Sequence, residues 1–158
     1  MEATTDINIP GQDSFSPLVL KELTSFLNIG PRYRFAFVRN EDKVCHVPSV
    51  NVGHSVAAFI QDNEHIDLNA ECFSYIKQLI ATNTLHNSEI GKYIYLKNIG
   101  ILFEPEIGLD VSMFLTNISR NTLLLIEWRG EMVYPYLYFL HSGSKYKLNL
   151  SQLNYITI

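Results

Sequence analysis

The sequence predicts a single α/β domain with a mostly parallel sheet flanked by helices. Three observations predict it. Apolar runs of strand length alternate along the chain with stretches of helical periodicity. The run Thr122 to Trp128 is the most apolar in the chain, which suits a central strand covered on both faces. The 158 residues make about one domain, and the 47% apolar share is enough to fill its core. No repeat, low-complexity tract or linker divides it.

Residues 1–14 are polar around Pro10-Gly11 and read as an arm, leaving 15–158 as the domain. Ser16-Pro17 opens a helix, since proline suits the first helical position. Val19, Leu20, Leu23, Phe26 and Leu27 form its apolar stripe, and Asn28 to Pro31 stop it. Tyr33 to Arg39 alternates as a strand, and Asn40-Glu41-Asp42 turns it. Val44 to Val52 reads as extended, interrupted by Pro48. Gly53 to Gln61 is a short helix, and Asn69 to Thr82 a longer one that gathers Cys72, Phe73, Ile76, Leu79 and Ile80 on one face.

Thr82 to Gly91 reads as a polar loop. Tyr93 to Leu96 is a buried strand whose apolar run continues through Ile99 to Phe103. Asp110 caps a helix over Val111 to Ile118 that buries Met113 and Phe114. Strands follow at Thr122 to Trp128, Tyr136 to Leu140 and Tyr155 to Ile158.

Composition excludes several classes of function. A net charge of −4 argues against nucleic-acid binding by the whole surface, because phosphate neutralisation supplies most of such affinity; a local basic patch stays open. Cys45 and Cys72 lie in no Cys-x-x-Cys or Cys/His cluster and read as free thiols of a reducing compartment. No metal or other cofactor is therefore expected. No run of 18 apolar residues and no charged-then-apolar leader is present, so a cytoplasmic location away from membranes is expected.

The segment from Tyr93 to Gly130 has a distinctive order: Lys97-Asn98-Ile99-Gly100, Leu102-Phe103-Glu104-Pro105-Glu106, a capped helix, Ser119-Arg120-Asn121, then a strand closing in Trp128-Arg129-Gly130. This resembles the C-terminal half of the BrxF-type small P-loop proteins, accessory components of BREX anti-phage systems. Val50-Asn51-Val52-Gly53 is similar to that family's second strand. The likeness implies a P-loop core and a place in a bacterial defence complex.

The departures imply that the nucleotide site has decayed. A P-loop needs a glycine-rich loop ending in Gly-Lys-Ser/Thr after the first strand, but Asn40-Glu41-Asp42-Lys43 stands there. Lys97 replaces the metal-binding aspartate, and Gly100 sits where a catalytic acid would. The expectation is a non-catalytic adaptor subunit that binds other protein subunits. Its oligomeric state, the identity of its partners and any trigger are left open by the residues. Two alternatives stay open: a nucleotide-binding regulatory subunit, or a nucleic-acid-binding accessory module.

The remaining candidates follow from residue type. Trp128, Tyr134, Tyr136 and Tyr138 make an aromatic C-terminal region suited to an interface. Arg120 either caps the preceding helix or reaches a neighbour's phosphate. Arg32, Arg34 and Arg39, interleaved with Tyr33 and Phe35, form a candidate nucleic-acid patch that Glu41 and Asp42 weaken. Glu104 and Glu106 read as a solvated loop, and the five histidines show no metal spacing.

Overall fold

The computed structural model describes residues 15–63, 67–139 and 143–158. The arm expected at 1–14, and His65 and His141, lie outside them.

Helix α1 (Pro17–Asn28) starts where Ser16 accepts a hydrogen bond from the Val19 amide, and it buries Val19, Leu23 and Phe26. Strand β1 (Phe35–Val38) is buried along its whole length. A 3-10 turn (Glu41–Val44) follows it, and then β2 (Val50–Asn51). Helices α2 (Val52–Asp62) and α3 (Leu68–Asn83) lead to β3 (Leu85–Asn87) and β4 (Gly91–Lys97). Short 3-10 turns precede α4 (Val111–Ser119), whose first turn is capped by Asp110 accepting from the Met113 amide. Strand β5 (Leu123–Glu127) is followed by β6 (Met132–Val133), β7 (Tyr136–Tyr138), β8 (Lys147–Asn149) and β9 (Tyr155–Thr157).

The main sheet runs β2-β4-β5-β1-β9, all parallel, with β3 antiparallel on β4. The expected mostly parallel sheet flanked by helices is therefore observed. Alternation along the strands makes two cores. Phe35, Phe37, Ile94, Leu96, Leu124 and Ile126 pack against α2, α3, α4 and the second sheet. Ala36, Val38, Tyr93, Tyr95, Leu123 and Leu125 pack beneath α1 and the turn that carries Val44 and Val47.

Several expectations are corrected. The apolar run after β4 does not extend the strand. Asn98 takes a left-handed conformation (φ 54°), which asparagine tolerates, and the chain turns into a 3-10 helix over Ile99–Phe103. Gly100 is required there by packing: a Cβ would collide with the Phe139 ring. The extended stretch expected over 44–52 shrinks to β2, and the expected loop before Gly91 holds β3. Met113 is 61% exposed; Leu115, two residues on and on the opposite face of the helix, takes the core position instead. The C-terminal aromatic region does not extend the main sheet but forms a separate antiparallel sheet, β6-β7-β8, with a cis Tyr134-Pro135 bond between β6 and β7.

Candidate functional site

Neighbouring strands β1 and β5 send their connections over opposite faces. After β1, Val44 and Val47 join the core under α1; after β5, Leu137, Leu148 and Leu150 join the other core. The carboxyl ends of β1 and β5 therefore flank a topological switch point, where open α/β sheets bind ligands. A cavity of about 340 Å³ opens there, lined by Val38, Arg39, Asn40, Glu41, Asp42, Glu127 and Arg129.

Glu127, the last residue of β5, points with Leu123 and Leu125 to the α1 side and is 8% exposed. Its carboxylate lies 3.8 Å from Lys97 Nζ and 3.2 Å from Arg129 Nε. Arg129 also donates to Glu41 Oε1 from Nη2 at 2.6 Å and from Nε at 3.1 Å. Burial, and then a hydrogen bond shared with Glu41, push the Glu127 carboxyl above the usual glutamate range. The Arg129 hydrogen bond holds Glu41 below it. Beneath them the buried Tyr95 hydroxyl has its pKa pushed up to about 12, by burial first and then by the charges of Glu127 and Glu41.

Chemically, a buried carboxyl with a raised pKa at a strand's end is a candidate acid or base. Here both flanking cations already bind it, and the acid next to it on the turn is tied to the same arginine. Among the described residues no group of three or more His, Cys, Asp or Glu gathers to hold a metal, and no helix is long and apolar enough to cross a membrane.

The sequence-predicted residues fall into separate places. Arg39 stands in this cavity, where its Nη1 donates to the carbonyls of Trp128 (3.0 Å) and Gly130. Arg32 and Arg34 lie at the other end of β1, so the three arginines form no single patch. Arg120 instead joins Arg32: their guanidinium carbons stand 5.8 and 5.3 Å from the centroid of the Tyr33 ring.

Trp128 is a core side chain, 2% exposed, and as such offers no surface to a partner. It packs edge-on against Phe37 and Phe139, and its indole donates to the Tyr138 carbonyl at 2.6 Å, clasping the second sheet to the first. Tyr136 and Tyr138 are half-buried on the outer face of β7, with Lys147 Nζ 4.2 and 5.9 Å from their rings. Tyr134 is 67% exposed, next to exposed Met132 and Val133. Sequence reasoning missed Glu127, although a lone charge closing the run Leu-Leu-Leu-Ile-Glu was a visible signal.

No protein-family model, curated protein or solved structure matches this chain.

Proposed function

We propose that this chain is a non-catalytic, protein-binding subunit, an α/β scaffold similar to a P-loop core that has given up its nucleotide site. The observation that carries this reading is the connection after β1. A P-loop needs a glycine-rich loop and then a helix directly after the strand, so that backbone N–H groups cradle phosphates. Here Asn40 caps a tight 3-10 turn through the Asp42 amide, and no helix intervenes before β2. Glu41 on that turn closes onto Arg129, so carboxylates occupy the space where phosphates would sit.

The docking surface of this reading is the β6–β7 hairpin. Met132, Val133 and Tyr134 expose a contiguous apolar tip, and an aromatic anchor among apolar neighbours is the chemistry of protein contacts. The resemblance of residues 93–130 to BrxF-type proteins is the reason to seek the partner among subunits of an anti-phage defence complex. The buried Glu127, whose pKa burial raises, supports one rival, an enzyme using it as acid or base.

The test is capture of the tagged chain co-expressed with its genomic neighbours in mild salt, read by native mass. The proposal expects a stoichiometric complex that the double substitution Met132→Asp with Tyr134→Ala dissolves. A lone chain, or a complex indifferent to those substitutions, would overturn it.

A further inference from the structure

The amino-terminal end of the sheet carries a second, differently built site. A cleft of about 540 Å³ opens between α3, β3, the start of β4 and the end of α4. Lys77 and Lys92 give it positive rims, His86, Asn117 and Asn121 give it polar groups, and Ile80, Leu85 and Ile118 make an apolar floor. Among the described residues no carboxylate lines it.

Beside the cleft, Arg32 and Arg120 converge on Tyr33 from positions far apart in the chain. This platform is fixed from both sides. The amides of Arg32 and Tyr33 donate to Asn154 Oδ1 (3.1 and 3.2 Å), and the Arg34 amide donates to the Ser119 carbonyl (3.0 Å). In the sheet, Tyr93 opposes Leu123 and Phe35 opposes Leu124. Lys92 and Tyr33 therefore stand level, two strand spacings or roughly 10 Å apart. Cleft and platform form one row across β4, β5 and β1. Among the described residues, none of Arg32, Arg34, Lys77, Lys92 and Arg120 takes part in an ion pair.

We propose that this row binds single-stranded nucleic acid. Unpaired cations at both ends of the row suit successive phosphates. The apolar floor with two amides suits one unstacked base, and the guanidinium–tyrosine platform suits the next. An acidic peptide would use the cations but leave the floor and the platform idle.

The test is fluorescence anisotropy of the intact protein with a short labelled oligodeoxythymidine. Contact with about four phosphates predicts saturable binding that weakens about 50-fold between about 50 and 200 mM salt. The pairs Arg32→Glu with Arg120→Glu, and Lys77→Glu with Lys92→Glu, should each weaken it about tenfold or more. Lys21→Glu on α1 should leave it unchanged, and all variants should keep the native circular dichroism spectrum. The proposal is overturned by absence of saturable binding at low salt, by an equal loss in Lys21→Glu, or by duplex DNA or polyglutamate binding as tightly.

Discussion

The two ends of one parallel sheet use their charges in opposite ways. At the carboxyl end Lys97, Arg129, Glu41 and Glu127 bind one another, and Arg39 is consumed by two carbonyls. At the amino end Arg32, Arg120, Lys77 and Lys92 face aromatic rings or solvent, and among the described residues no carboxylate lines the cleft. At the end where this topology ordinarily binds ligands the charges in the cavity are engaged by the protein's own groups, and at the opposite end the cations are left free of ion pairs. Switch-point topology supplies only a place; whether a ligand can use it depends on whether the local charges are already satisfied.

The hydrogen bonds and buried rings at the carboxyl end predict stability losses that substitutions can measure. Trp128→Ala removes a buried ring and the indole hydrogen bond between the two sheets, and is expected to cost about 4 kcal/mol in chemical denaturation. Arg39→Ala strands the Trp128 and Gly130 carbonyls and is expected to cost about 2 kcal/mol while leaving oligonucleotide binding untouched. If Arg39→Ala instead left stability alone and weakened nucleic-acid binding, the arginines of β1 would act as one patch after all.

A finer distinction is the pH response of Glu127. Its folded pKa is raised, so the native state holds a proton that the unfolded chain releases near its ordinary value. Its contribution is therefore fully present below that value and is lost as pH rises through the folded pKa. Glu41 runs the other way, with stability present above the ordinary value and lost as pH falls through its lowered one. Glu127→Gln, which mimics the protonated form, should gain stability relative to the native chain as pH rises from about 4.5 to 7. Denaturation midpoints at those two pH values read the sign, and a relative loss would mean that the ionised pair with Lys97 and Arg129 outweighs burial. Smallest of all, the pair Arg32→Glu with Arg120→Glu should shift stability by no more than about 0.5 kcal/mol, since both side chains are exposed.

Much of this fold was legible in the sequence because local chemistry and burial agreed. Ser16-Pro17 and Asp110 mark helix starts that their side chains or rings enforce, and Leu123 to Ile126 reads as a strand covered on both faces because it is one. Legibility failed where tertiary contacts decided. Ile99–Phe103 is apolar enough for a strand, yet Asn98 turns the chain and Phe139 claims the space over Gly100. Trp128 looked like an interface anchor because composition shows an aromatic but not which sheet covers it. The candidate sites were harder still. Glu41 meets Glu127, and Arg32 meets Arg120, only through strand register across β1 and β5, which no spacing along the chain encodes.

Steady-state hydrolysis of magnesium ATP by the purified chain at saturating substrate decides between the proposed non-catalytic switch point and a working one. The expected rate is no higher than that of Glu127→Gln prepared in parallel. Turnover that Glu127→Gln abolishes would contradict the non-catalytic reading and make the buried carboxyl a working acid or base.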